Sequence, residues 1–357
     1  MIDAKILYIM SSYNIYGGTP KKTLDLLKHF REKGSLYVYS DSYKEFKPLF
    51  LETNASIYEG NYGRNIFLHI KELLKIIDKE KIEIVQTQFS MGETLGFFIK
   101  LFRPHIKLVV AFVGPFEPQG LKKKLVNFMY KKVDAFVYIS NYVRNEKSSQ
   151  FPILLEKKSK IIFNGTHKRA ITDDEYPKMK SISLYSTSGL VDWKNIIILV
   201  EALHILNDKN IFLYVAGDGQ ERKNLEAKID EYNLNEQVHL LGYQKNIGAL
   251  LQEADIYVHP AYAEGFGIAA AEAMIAKKPM IVSDVSALPE LVENEKSGLV
   301  VDAFDANAWA EAIKRVAYDK ELAQKFGQNA KERAENEFSI QKYIKNYEDL
   351  YTSLVNG

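Results

Sequence analysis

Two carboxylates and two glycines lie close together in the string HPAYAEGFGIAAAEAMIAKKPMIVSD (259–284). Seven residues separate Glu264 from Glu272, and Gly265, Phe266 and Gly267 directly follow the first acid. Glu264 is read at the end of a loop after a strand, where its carboxylate projects toward a ligand. Gly265 and Gly267 lack a Cβ and let the backbone approach that ligand closely. A helix opening near Gly267 and Ile268 presents free N–H groups and a positive dipole end, which suits an anion. Glu272, about one and a half turns into that helix, is placed to accept hydrogen bonds from two neighbouring hydroxyls, such as those of a ribose. Most acids at this spacing are an N-terminal helix acid and a surface-facing one. The glycines, the apolar run before them and the alanine-rich run after them favour the ligand here.

Three further strings carry possible chemistry. In TSGLVDWKN (187–195), Lys194 stands near an expected helix start with Ser188 and Gly189 before it, and can reach an anion at a facing helix terminus. A lone lysine is otherwise a solvated surface group. In VAGDGQ (215–220), Gly217 and Gly219 follow a strand, but position 222 is Arg222, so this is no dinucleotide fingerprint. These glycines either turn the chain or let a nucleotide base lie against the backbone. In YNIYGGTPKK (13–22), Gly17 and Gly18 suit a backbone phosphate contact or, equally, a tight turn. The seven histidines have no ligand-like spacing; His259 ends a strand before the Glu264 loop, either packed there or lining the ligand space.

The elements that must position these groups alternate between short apolar runs and helical stretches, the pattern of parallel α/β sheets. The first half reads as strand 5–10, helix 21–30, strand 35–40, helix 66–79, strand 82–87, strand 107–113, helix 121–132, strand 134–140 and strand 160–166. The polar stretch 168–180, with Pro177, is the linker candidate. The second half restarts with strands at 181–189, 211–219, 237–243, 255–261, 279–283 and 298–301. Helices are expected at 194–207, 221–232, 246–253, 267–276, 288–293, 305–317 and 321–336. A last helix over 339–354 carries Tyr343, Tyr347, Leu350 and Tyr351 on one face. The strands are continuous apolar runs, as expected when helices cover both faces. The fold class that follows is α/β, two doubly wound Rossmann-like domains in tandem, with ligands at strand carboxyl ends and a cleft between the two sets.

Bulk properties narrow the classes. A chain of 357 residues exceeds what one core usually supports, and 46% hydrophobic with 26% charged residues is ordinary for a globular protein. Without cysteine there is no disulfide framework or thiolate metal site. The N-terminus lacks a basic n-region and a cleavage site, and no run reaches the length of a membrane span, so the expected location is cytoplasmic. Residues 1–170 carry a net charge of +12 and residues 171–357 one of −11, which together give +1. Such halves either face each other or meet different partners, the basic one an anionic surface.

Together these strings resemble the retaining glycosyltransferases of family 4, which have the GT-B fold. The resemblance spans nearly the whole chain. It includes the Gly-Gly loop, YISN (138–141) with Asn141, IIFNGT (161–166), the G-L-x-x-x-K segment (189–194), the V-x-G-x-G turn, LGY (241–243) with Tyr243, the E-x7-E block and SGLVV (297–301). It implies an acceptor-binding domain over 1–168, a nucleotide-sugar-binding domain over 169–338, and a last helix (339–357) that crosses back. By position, Glu264 would contact hydroxyls of the transferred sugar and Glu272 the ribose. Backbone amides at Phe266, Gly267 and Ile268 would hold sugar and diphosphate, and Lys194 would neutralise the leaving diphosphate. The resemblance implies a nucleoside-diphosphate sugar as substrate, with no further cofactor and no metal.

Two positions depart from the family pattern. Ser188 stands where an Arg usually precedes the glycine at Gly189, which removes one cation from the diphosphate. Val113, followed by Gly114, stands where many members carry a His that meets the donor sugar and its 6-hydroxyl. An apolar side chain there would leave a buried hydroxyl unpaired, at about 1–3 kcal/mol, so a donor without an ordinary 6-hydroxyl is expected. The segment GLKKKLVNFMYKK (120–132) sets Lys122, Lys123, Lys124, Lys131 and Lys132 around apolar residues. It reads either as a helix with solvated lysines or as an interfacial helix on anionic lipid. With the basic half, it favours a lipid-linked glycan acceptor at the inner membrane face, in bacterial-type surface polysaccharide synthesis. The alternatives are a small soluble acceptor, or nucleotide-sugar binding without transfer. Nucleic acid is not an expected partner, because no aromatic-interleaved module accompanies the charge.

Overall fold

The computed structural model describes residues 3–15, 18–40, 42–114, 120–168 and 181–357. Gly17 and nearly all of the linker candidate 168–180 lie outside the described residues. Two compact units divide the chain: Met1–Gly165 with Ile340–Gly357, and Thr166–Ser339.

The first unit begins with β1 (Ile6–Met10), α1 (Gly18–Phe30), β2 (Gly34–Val38), α2 (Lys47–Leu51), β3 (Ser56–Glu59) and α3 (Ile66–Glu80). It continues through β4 (Ile84–Thr87), α4 (Phe89–Phe102), β5 (Lys107–Phe112), α5 (Gly120–Tyr130), β6 (Ala135–Tyr138), α6 (Asn141–Gln150) and β7 (Ser159–Ile161). All seven strands run parallel in the order β3-β2-β1-β4-β5-β6-β7. The C-terminal helix Ile340–Val355 completes this unit. Tyr343, Tyr347, Leu350 and Tyr351 bury their side chains in the cluster that holds Tyr8, Leu24 and Leu27, and the Tyr351 hydroxyl donates to Gln86 Oε1 at 2.5 Å.

Four elements of this unit were not expected from the sequence. In α4, Gly92 and Gly96 weaken the helical signal and Gln88 supplies no side-chain cap. Gly96 is nonetheless required, because a Cβ there would lie 2.7 Å from Leu108 Cδ1 and 2.8 Å from Thr87 Cγ2. The polar run of α6 buries only Val143 and Lys147, and starts on the Ser140 side chain, which accepts from the Val143 N–H. The edge strand β3 is half exposed, and α2 spans only five residues. The strand expected over 160–166 pairs only at Ser159–Ile161.

The second unit follows the same plan with β8 (Ile182–Thr187), α7 (Ile197–Leu206), β9 (Ile211–Ala216), α8 (Arg222–Glu231), β10 (Val238–Gly242), α9 (Ile247–Glu253) and β11 (Ile256–His259). It closes with α10 (Ile268–Ile275), β12 (Met280–Ser283), α11 (Leu288–Leu291), β13 (Gly298–Val301), α12 (Ala306–Tyr318) and α13 (Lys320–Glu337). Its parallel sheet has the order β10-β9-β8-β11-β12-β13. Strand order reverses at β8 and β11, which are adjacent although far apart in sequence; this is the switch point at which open α/β sheets leave a crevice. The unit is closed at its ends by a bridge between Thr166 and Ser339, with the Thr166 N–H donating to the Phe338 carbonyl at 2.7 Å.

Candidate functional site

The loops that leave β8 and β11 at the switch point carry the two strongest sequence candidates. After β8, a short 3-10 turn covers Asp192–Lys194, and Asn195 then adopts φ +53 before α7 begins at Ile197. The expected helix start at 194 is thus displaced by three residues. The left-handed Asn195 ends the turn, and its side-chain N–H is held by the Ala303 carbonyl at 2.8 Å. That arrangement leaves Lys194 on a fixed turn, four-fifths buried. The loop after β11 is tied to the same turn, because the Tyr262 N–H donates to the Trp193 carbonyl at 3.0 Å and the Tyr262 hydroxyl bonds Asp192.

Lys194 Nζ forms an ion pair with Glu264 Oε2. His259 Nε2 lies 3.3 Å from the same oxygen, and the Tyr257 hydroxyl lies 3.4 Å from His259 Nδ1. The Glu264 backbone is fixed as well: its N–H donates to Ser286 Oγ at 3.1 Å and its carbonyl accepts from the Ala287 N–H at 3.2 Å. Burial by itself pushes the Glu264 carboxyl up. The hydrogen bond from His259 and the Lys194 charge outweigh it and hold the group well below the usual carboxylate range. Burial pushes His259 down, so its imidazole is neutral, and it pushes the Tyr257 phenol up. From the sequence alone, His259 is either packed at its strand end or a lining of the ligand space. Its one signal was its position five residues before Glu264 at a strand end.

Helix α10 opens beside this pair. Gly267, at φ +96, precedes it with no side-chain cap, so the first-turn amides of Ile268 and its successors face outward from the helix end. Phe266 is buried edge-on against Phe338, with ring centroids 5.5 Å apart, and this anchors the loop from below. Glu272 sits one turn farther along α10 and is buried, at 4% exposure.

The neighbouring loops complete the rim. Ser188 N–H donates to the Ala216 carbonyl and Leu190 N–H to the Asp218 carbonyl, each at 3.0 Å, so the β8 and β9 loops are stitched together. This explains the glycines after β9. A Cβ on Gly217, at φ +149, would lie 1.8 Å from Ser188 O, and one on Gly219 would lie 2.2 Å from Leu190 O. Their freedom serves the neighbouring chain segment first. Gly189, by contrast, faces open space, with Asp218 O the nearest atom at 3.9 Å. Ser188 is buried and its hydroxyl donates to the Gly189 carbonyl. Tyr243, just past β10, is 59% exposed.

In the first unit, Gly18 is the first residue of α1, Val113 and Gly114 follow β5, and Asn141 begins α6 after β6. All four therefore lie at strand carboxyl ends. Val113 is half-buried, and a Cβ on Gly114 would meet nothing within 4 Å. On and after α5, Lys122, Lys124, Lys131 and Lys132 are exposed, and Lys123 lays its ammonium 5.8 Å from the Phe151 ring centre. Val126 and Met129 are buried, whereas Leu125 and Phe128 are more than half exposed among those lysines. Among the described residues no helix is long and apolar enough to cross a membrane.

Residues 168–333 match the family described as glycosyl transferases group 1. The chain is 27% identical to the UDP-Gal:alpha-D-GlcNAc-diphosphoundecaprenol alpha-1,3-galactosyltransferase of Escherichia coli, over 94% of this chain and 91% of that protein. It is 26% identical to the N,N'-diacetylbacillosaminyl-diphospho-undecaprenol alpha-1,3-N-acetylgalactosaminyltransferase of Campylobacter jejuni, over 90% and 92%. Among solved structures, a Rickettsia africae glycosyltransferase superposes with TM-score 0.86 at 20% identity, covering 99% of this chain and 98% of its own. Anabaena HepE in complex with UDP superposes with TM-score 0.85 at 18% identity, covering 98% and 100%.

Proposed function

We propose that this chain, a glycosyltransferase of the GT-B fold, is a retaining enzyme of family 4 that moves a sugar from a nucleoside-diphosphate donor to a lipid-linked glycan in surface polysaccharide synthesis. One observation carries the reading: Lys194 and Glu264 meet at the β8/β11 switch point, beside the open end of α10. In this reading the amides at Phe266, Gly267 and Ile268 hold the sugar and diphosphate. The Lys194 ammonium meets the charge that develops as the diphosphate leaves, where a fixed cation is most effective. Glu264 accepts hydrogen bonds from hydroxyls of the transferred sugar, and Glu272 from the ribose. Ser188 brings no second cation, so the charge of the leaving group falls on Lys194 and the helix end. The second unit thus binds the donor; in the first, Gly18 suits a backbone contact to the donor phosphate, and Val113, Gly114 and Asn141 serve the acceptor and the sugar pocket.

The lipid-linked acceptor is supported by two relatives whose names specify undecaprenyl diphosphate substrates, and by the exposed Leu125 and Phe128 among the lysines of α5. A small soluble acceptor gives no reason for that face. Each lysine near an anionic surface contributes on the order of 1 kcal/mol, which supports a position at the cytoplasmic face of a membrane. Flotation with vesicles tests this: binding is expected with anionic lipid and lost in a Lys122→Glu, Lys124→Glu, Lys131→Glu triple variant. Equal binding to neutral vesicles, or none to either, would reject it.

A thermal-shift panel of UDP-, GDP-, dTDP- and CMP-sugars tests the donor, since a bound ligand raises apparent stability with the logarithm of its concentration. The panel includes 6-deoxy sugars, which Val113 favours; a clear preference for glucose or galactose would remove that refinement alone. Donor turnover that survives in both Glu264→Gln and Lys194→Ala would sink the assignment, and no turnover in the wild type with any bound donor would leave binding without transfer.

A further inference from the structure

We infer that His259 is a positioning residue for Glu264, orienting and holding its carboxylate through one oxygen so that Lys194 can turn to a diphosphate. This rests on the roles proposed above for Glu264 and Lys194, and adds a residue those roles do not include. Lys194 Nζ and His259 Nε2 converge on the same atom, Oε2. A carboxylate held on one oxygen keeps the other for a substrate hydroxyl. With Lys194 as sole partner, Glu264 would lose its anchor at the moment the ammonium engages the donor. His259 supplies the second anchor, from the end of β11 and not from the turn that carries Lys194.

The chain of hydrogen bonds behind His259 fixes which nitrogen carries the proton. Glu264 is ionised and can only accept, so Nε2 bears the hydrogen and Nδ1 must accept. The Tyr257 hydroxyl, 3.4 Å away, is the donor to Nδ1; its oxygen in turn lies 3.4 Å from the Thr187 N–H and 3.5 Å from the Thr187 carbonyl. Tyr257 and His259 are both fully enclosed, at 0% and 2% exposure. The order is therefore Thr187 N–H to Tyr257, Tyr257 O–H to His259, and His259 N–H to Glu264. The contacts are long, as such bonds often are before substrate binds. The chain also links β8 to β11 across the switch point. Among the described residues, Lys194 from the turn after β8 and His259 on β11 act on Glu264, while Tyr185 on β8, Glu272 on α10 and Glu264 itself face Tyr257.

The test is a pH titration of the Glu264 side-chain carboxyl by NMR in the full chain labelled with 13C-glutamate, the resonance being assigned by its loss in Glu264→Gln. In His259→Leu the midpoint is expected to rise by about one pH unit or more. In His259→Gln, whose amide N–H can reach the same oxygen, it returns most of the way. An unchanged midpoint in His259→Leu overturns the inference. Should that variant not fold, Tyr257→Phe, which frees the imidazole to take the other tautomer, is read instead; a midpoint there equal to wild type is equally fatal. Kinetics give a second readout with the UDP-, GDP-, dTDP- or CMP-sugar that binds. The acid limb of kcat is expected to move to higher pH in His259→Leu, with KM for the donor changed less than threefold. A purely packing role would lower Tm without moving that limb. Full turnover in Glu264→Gln would instead strike the proposed function, while the titration result for His259 would stand on its own.

Discussion

At Glu264 three effects compete, and their order decides whether the side chain carries a charge. Burial favours the neutral acid, while the imidazole N–H of His259 and the ammonium of Lys194 favour the carboxylate and prevail. Lys194→Ala removes the cation meant for the leaving group, and turnover is expected to fall about 10²–10³-fold, measured as release of nucleoside diphosphate. The same residues give a signature in stability. A carboxyl whose folded value lies below its ordinary 4.5 contributes stability that is present above that pH and lost as pH falls toward the folded value. His259 acts in a higher window. Its folded value lies below the ordinary 6.5, so the unfolded chain takes up the proton first, and the folded state loses ground as pH drops below about 6.5. One such group gives at most about 1.4 kcal/mol per pH unit. His259→Gln is therefore expected to flatten the decline of Tm between pH 6.5 and 5, and an unaltered slope would contradict a buried neutral imidazole.

The loops after β8, β9 and β11 behave as one element, since backbone hydrogen bonds join 188–190 to 216–218 and Trp193 to Tyr262. Two glycines in this element should respond differently. Gly217→Ala places a Cβ against Ser188 O in a conformation that costs about 1–3 kcal/mol. In a unit of this size each kcal/mol is about 2–4 °C of Tm, so a visible loss of thermal stability is expected from calorimetry. Gly189→Ala faces open space and should leave Tm within about 1–2 °C. If the donor lies against that backbone, the same change weakens donor binding in the thermal-shift assay. Loss of stability at Gly189 with none at Gly217 would mean that the loops are not packed as described.

Across the whole molecule, each unit closes its own core, and the chain returns to the first only at Ile340. The returning helix buries Ile340, Tyr343, Tyr347, Leu350, Tyr351 and Leu354. Each large apolar side chain fully buried contributes about 1.5–3 kcal/mol, more than a single unit can spare against a typical net stability of 5–15 kcal/mol. Truncation after Ser339 is expected to unfold the first unit while leaving the second able to bind a nucleotide. Limited proteolysis with nucleotide titration reads both, and a protease-resistant first unit in the truncated chain would refute the expectation.

The apolar runs dictated most of the strands, because a parallel strand covered on both faces is largely apolar, as 256–258 and 280–282 are; the half-exposed β3 offers no such run. The opening of α10 was also legible, since glycines between an apolar strand and an alanine-rich run mark a helix start, and Gly267 at φ +96 stands there. Helices α4 and α6 carry no clear sequence signal because one is interrupted by glycines and the other is almost wholly polar; tertiary packing, not propensity, stabilises them. The pairing of Lys194 with Glu264, and the place of His259 behind it, depended on strand order. Residues 70 apart in sequence become neighbours only because β8 lies next to β11, and no local pattern encodes which strand will sit beside which.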